Sequence, residues 1–174
     1  MKNIKLYKLV LSAAFLALGI ILPFFTGQIK EIGDSLLPMH LPVLLCGFIC
    51  GWQYGITVGA ILPFLRGLML GMPPLYPTAV WMSLELLTYG CVCGILYSLF
   101  KKRGVIGIYI SLVGAMLCGR VVWGIAKAIL LGISDKPFGI SAFVMGAFVD
   151  AVPGIIIQLI LIPLILAVIR YKNK

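Results

Sequence analysis

The sequence predicts an all-α integral membrane protein, a single domain over residues 1–174 with six transmembrane helices and both termini in the cytoplasm. The chain is 62% hydrophobic and its mean hydropathy is +1.16, which is more apolar surface than a soluble domain of this size can bury. Six apolar segments alternate with polar or Gly/Pro-containing turns. Basic residues are concentrated at the two ends and in one short loop, which orients the bundle.

The six apolar segments differ in length, and the second is unusually short. We place them at residues 6–25, 41–52, 54–70, 78–100, 105–131 and 140–169. Twelve helical residues extend about 18 Å, well short of the roughly 30 Å hydrocarbon core. Irregular backbone at membrane depth must be covered by protein or line an aqueous cavity. We therefore expect the long first extracellular loop, residues 28–40, to fold over the bundle as a candidate lid.

The charge distribution predicts the orientation. With six segments, both termini and the loop after the fourth segment lie on the same side of the membrane. That side carries nine basic residues and no acidic one: Lys2, Lys5, Lys8, Lys101, Lys102, Arg103, Arg170, Lys172 and Lys174. The positive-inside rule makes this side cytoplasmic. The net charge of +9 is thereby explained as a topology signal, and we expect no nucleic-acid partner.

Five ionisable residues fall inside the apolar segments, and His40 lies at the entrance of the second one. The five are Arg66, Glu85, Arg120, Lys127 and Asp150. Charges at membrane depth are costly and usually functional. In the predicted orientation all six residues lie in the outer half of the membrane. This placement argues against a continuous ion path and favours a water-filled pocket that is open to the outside.

Aromatic residues share the helix faces of these charges. Trp81, Glu85 and Tyr89 follow one another at four-residue spacing and therefore lie on one face of the fourth segment. Trp123 and Lys127 are related in the same way in the fifth. Aromatic walls with a few polar groups are typical of small-molecule pockets.

The expected net charge of the pocket is close to +1. Glu85 and Asp150 can neutralise two of the three intramembrane cations, so an anionic or zwitterionic molecule would suit the site. Structural alternatives stay open: an ion pair of Glu85 with an arginine, an interfacial position for Trp81, snorkelling of Lys127 to the membrane surface, and a loop-capping role for His40.

The sequence lacks the motifs of common enzymes. It contains no GxxxxGK[ST] phosphate loop and no HExxH zinc motif, and only one aspartate lies inside a predicted span. The five cysteines are odd in number and form no CxxC pair, so we interpret them as packing residues. We therefore expect no enzymatic activity, no catalytic residue, no metal and no cofactor.

A pair of small residues marks the first segment. Ala13 and Ala17 lie one helical turn apart, and small residues at this spacing let another helix approach closely. That helix belongs either to the same bundle or to another membrane protein, and the pattern alone leaves both possibilities open.

The stretches MHLPVLLCGFICGWQYG (39–55) and LRGLMLGMPP (65–74) resemble the second and third spans of the substrate-binding S components of energy-coupling factor (ECF) vitamin transporters. Length, short second span and long first outer loop extend the resemblance over essentially the whole chain. It implies capture of a water-soluble vitamin outside a prokaryotic plasma membrane, with release inside. It also implies partners, a transmembrane coupling subunit docking on Ala13 and Ala17 and two cytoplasmic ATPases.

The substrate favoured at this stage is pantothenate, with its carboxylate on Arg66 or Arg120, or a B6 vitamer whose ring packs on the tryptophans. The residues expected to bind it are His40, Arg66, Trp81, Glu85, Tyr89, Arg120, Trp123, Lys127 and Asp150. Two alternatives come from other classes. A stand-alone secondary transporter or channel for a small anionic solute would need inverted repeats or polar residues in the inner half. A non-transport membrane assembly protein would leave the intramembrane charges unexplained.

Overall fold

A computed structural model describes residues 3–26, 35–132 and 139–172, and within these ranges the regular structure is entirely helical. The helices are α1 Ile4–Ile21, α2 His40–Cys50, α3 Trp52–Leu70, α4 Thr78–Phe100, α5 Val105–Gly132, α6 Ile140–Val144 and α7 Val152–Lys172. Short 3₁₀ turns follow α1 at Leu22–Thr26 and α4 at Lys101–Arg103. One π-helical turn, Met145–Val149, lies between α6 and α7.

Among the described residues, five stretches are long and apolar enough to cross a membrane. They are Ile4–Phe25, Trp52–Leu70, Thr78–Arg103, Val105–Gly132 and Ile140–Ile169. The all-helical membrane fold is thus confirmed, and the short second segment is the 11-residue helix α2, about 16 Å long. The count of six spans and the cytoplasmic termini stay predictions. Most of the expected lid, residues 28–34, lies outside the described residues.

The centre of the bundle is a close packing of α2, α3 and α4. Gly51 is the single residue between α2 and α3, and its φ of 103° is accessible to glycine but rarely to other residues. A Cβ added at Gly55 would lie 2.9 Å from the Cα atom of Gly90, so α3 and α4 cross in backbone contact. This crossing holds the first turns of α4 beside the first turn of α2.

Helix α1 packs on the bundle through one face only. Ser12, Phe15 and Gly19 are buried on that face, whereas Ala13 and Ala17 are exposed on another. The two alanines therefore do not serve packing within this bundle. Docking of a partner helix on them stays a prediction, and it now concerns an accessible surface.

Candidate ligand-binding site

A cavity of about 220 Å³ lies where the N-terminal ends of α2 and α4 meet the last turns of α5. Seven of the nine predicted binding residues line it: His40, Trp81, Glu85, Arg120, Trp123, Lys127 and Asp150. The helix spacing explains this convergence, because residues four apart in α4 and in α5 share a face. The remaining wall comes mainly from residues 37–39, which precede α2, and from Gly146.

Glu85 is the charged centre of the cavity. Its Oε1 atom lies 3.0 Å from Nη1 of Arg120 and 3.3 Å from Nε2 of His40. All three side chains are almost completely buried, so each depends on the others for compensation of its lost hydration. The ion pair considered above as a structural alternative is therefore present, and it forms part of the cavity wall. His40 begins α2, and its side chain is 2% exposed.

Several buried nitrogen atoms of this cluster have no hydrogen-bond partner among the described residues. Nε and Nη2 of Arg120 and Nδ1 of His40 are buried and make no hydrogen bond. Buried donors are rarely left unsatisfied, because the lost hydration is not repaid. An oxygen acceptor from a ligand or from water would satisfy the two nitrogen atoms of Arg120. Nδ1 of a neutral His40, whose Nε2–H faces Glu85, would instead accept a hydrogen bond.

Two indole rings and one ammonium group form the side of the cavity. The Nζ atom of Lys127 lies 4.5 Å from the ring centroid of Trp123 and 5.6 Å from that of Trp81. Both distances are within the range of cation–π attraction. Lys127 and Trp81 therefore both form part of the cavity wall.

Two predicted binding residues lie outside the cavity lining. Tyr89 is buried one helical turn from Glu85, and its ring packs edge-to-face on His40 with 5.0 Å between centroids. It therefore supports the imidazole from behind. Arg66 is buried in α3, and its Nη1 atom donates a hydrogen bond of 2.8 Å to the carbonyl oxygen of Met72.

The position of Arg66 changes the charge of the cavity. With Arg66 absent from the lining, the charged lining residues that the structure describes are Glu85 and Asp150 against Arg120 and Lys127, which sum to zero when His40 is neutral. This sum differs from the expected value near +1 because depth in the membrane was predicted from the sequence, but the direction of each side chain around its helix was not.

Six lining residues were not among the predicted binding residues: residues 37–39, Thr78, Met82 and Gly146. Thr78 and Met82 lie on the same face of α4 as Trp81, so their helical spacing could have indicated them. Gly146 carries no such signal. A Cβ there would lie 3.0 Å from the ring of Trp123, so the glycine lets the π-helical turn approach the indole.

These features define a multi-pass helical membrane protein with a small, charged and aromatic cavity enclosed by its helices. The chain belongs to the family of ECF transporter substrate-specific components, whose family model matches residues 7–166. The resemblance inferred from the sequence is thereby confirmed, and the family is one of transport subunits and not of enzymes. No curated protein and no solved structure matches the chain.

Proposed function

We propose that the chain is the high-affinity substrate-binding subunit of an ECF-type importer in a prokaryotic plasma membrane. It captures a water-soluble vitamin or vitamin precursor from outside and releases it inside after docking to the energising module. The observation that carries this proposal is the convergence of seven intramembrane polar and aromatic residues on one cavity.

The size and charge of the cavity favour a small, single-ring ligand. Its volume of about 220 Å³ is below the roughly 300–1,000 Å³ of pockets for drug-sized molecules. The balanced charge favours a ligand that is neutral or zwitterionic overall. A B6 vitamer meets both conditions better than pantothenate, whose carboxylate would find a donor in Arg120 but would leave the cavity with a net negative charge.

The geometry suggests how such a ring is held. Its faces pack against the indoles of Trp81 and Trp123, its oxygen substituents accept hydrogen bonds from the unpartnered Nε and Nη2 atoms of Arg120, and a hydroxyl group can donate to Nδ1 of His40. Asp150 lines the cavity but is itself exposed, so it is placed to meet a cationic or hydrogen-bond-donating group of the ligand. In this arrangement, affinity for the ligand comes from aromatic stacking and from charge-assisted hydrogen bonds.

The energising module is proposed to dock on the exposed alanines of α1. Ala13 and Ala17 leave a shallow surface on which a helix of the transmembrane coupling subunit can pack closely. The two cytoplasmic ATPases then act through that subunit.

The test is native mass spectrometry of the purified chain, followed by thermal unfolding with pyridoxine, pyridoxal, pantothenate and the other B vitamins. A ligand at 100 times its Kd adds about 2.7 kcal/mol, which for a chain of this length is a rise of about 5–11 °C. Trp81→Ala should remove that rise. Trp52→Ala, at an exposed tryptophan that does not line the cavity, should keep it. Absence of both a retained and a stabilising vitamin would contradict the proposal.

A further inference from the structure

We infer that Arg66 is a positioning residue, which fixes the turn between α3 and α4 and through it the Trp81 wall of the cavity, without touching the ligand. The inference rests on the proposed function as far as ligand affinity is concerned. The turn comprises residues 71–77, between the end of α3 and the start of α4.

Among the described residues, Arg66 donates one hydrogen bond, to a backbone carbonyl and not to an acid, and its Nε atom is buried without a partner. Its side chain is 6% exposed, and its Nη1 atom donates to the carbonyl oxygen of Met72 at 2.8 Å. The C-terminal end of a helix carries partial negative charge on its unpaired carbonyl groups, which favours a cation in the last turns. Within the part of the chain that the structure describes, no carboxylate forms an ion pair with Arg66.

A second contact fixes the same turn on α3. A Cβ added at Gly67 would lie 2.7 Å from the carbonyl oxygen of Pro73, so the backbone of the turn lies directly on the last part of the helix. Gly71 then ends α3 in the left-handed region, with φ at 73°. Two adjacent carbonyl groups of the turn therefore contact α3. The Met72 carbonyl accepts a hydrogen bond from Arg66, and the Pro73 carbonyl packs against Gly67, where no side chain excludes it.

The first turn of α4 connects residues 71–77 to the cavity. The N–H group of Ala79 donates to the carbonyl oxygen of Pro74 at 2.9 Å, and Ala79 is fully buried. Thr78 and Trp81, in the first turn of α4, line the cavity. A displacement of the turn must therefore move the indole of Trp81, because the start of a helix moves with the backbone to which it is hydrogen-bonded.

A positioning role and a direct contact predict different patterns of lost affinity. If the guanidinium binds an anionic group of the ligand, its removal weakens the binding of anionic ligands most. If it holds the turn, its removal weakens the binding of every ligand that packs on Trp81 by the same factor. Gly67→Ala displaces the same turn without changing any charge, so it separates the two explanations.

The experiment has a ligand-dependent arm. It measures Kd by isothermal titration for two matched pairs, pyridoxine with 4-pyridoxate and pantothenol with pantothenate. We expect Arg66→Ala to weaken binding on the order of tenfold, with the ratio of Kd values within each pair unchanged. Gly67→Ala should do the same, the double variant should be no weaker than either single one, and Arg66→Lys should recover part of the loss because an ammonium can still donate to Met72.

The second arm needs no ligand. Hydrogen–deuterium exchange should rise in both variants at residues 71–82 and stay unchanged in α5. Leu68→Ala, at a 70% exposed position of the same helix turn, is the control that should change neither readout. A loss confined to the anionic member of each pair, or unchanged exchange in Arg66→Ala, would overturn the inference. If no vitamin binds, the proposed function fails instead, and the exchange arm still decides whether Arg66 holds the turn.

Discussion

Replacing Glu85 by leucine removes an acceptor that two buried groups share. Its Oε1 atom contacts Arg120 at 3.0 Å and His40 at 3.3 Å, and both of these side chains are almost completely buried. Removing one partner of a buried ion pair costs about 3–5 kcal/mol, because the other charge is left uncompensated. For a chain of this length, the apparent Tm should fall by about 6–20 °C.

Removing the arginine as well should restore most of that loss. Replacement of a buried ion pair by apolar side chains of similar volume is often neutral or stabilising. Glu85→Leu/Arg120→Met should therefore unfold well above Glu85→Leu, although both variants lose polar groups of the cavity and should lose ligand binding. The two measurements separate the structural from the binding role of the pair.

Buried thiols provide the assay. Cys46, Cys50 and Cys93 are buried, whereas Cys91 is half-buried and Cys118 is exposed, so Cys91→Ser/Cys118→Ser serves as the common background. A thiol-reactive fluorophore added to the detergent-purified protein therefore reports unfolding during a temperature ramp. If the double variant unfolds at or below the temperature of Glu85→Leu, an uncompensated Arg120 is not the source of the cost, and the reasoning is refuted.

Three further predictions concern packing, docking and the cavity. Gly90→Ala places a Cβ 2.8 Å from the Cα of Gly55 and should lower the free energy of unfolding by about 1–3 kcal/mol. Gly132→Ala, where a Cβ meets nothing within 4 Å, is the control in the same thermal-unfolding measurement. Ala17→Trp should leave vitamin binding intact and block uptake into cells or vesicles that contain the energising module; normal uptake would argue against docking there. Lys127→Met should raise the Kd of the vitamin about ten- to hundredfold, because the ligand would lose the hydrogen bond from the ammonium group. Titration followed by tryptophan fluorescence measures this Kd, and an unchanged value would contradict a contact between Lys127 and the ligand.

Positions along a helix could be predicted from the sequence, because hydropathy locates each span and the helical period relates residues within it. Trp81 and Glu85 were placed on one face by spacing alone, and both line the cavity. The contact between Glu85 and Arg120 was foreseen only as an alternative. Which helices face each other depends on tertiary packing, such as the close crossing at Gly55 and Gly90, and no local pattern encodes it.

Arg66 shows where sequence reasoning stopped. A cation inside an apolar segment predicts a functional contact, and depth placed it near the other charges. Its partner is a backbone carbonyl in a turn that folds back on the same helix. Every residue provides such a carbonyl, so the partner has no signature in the amino-acid sequence.

The one-residue link at Gly51 determines how a bound molecule can leave. His40 begins α2, so about 16 Å of helix separates the cavity from that link. Between them the backbones of α3 and α4 touch at Gly55 and Gly90, and rotation of side chains cannot open a gap between two backbones in contact. A molecule bound beside His40 therefore cannot pass along the crossing of α3 and α4 towards the Gly51 end of the bundle. For the import proposed above, we predict that release on the other side of the membrane requires a movement of whole helices or of the whole subunit, and not of side chains at this crossing alone.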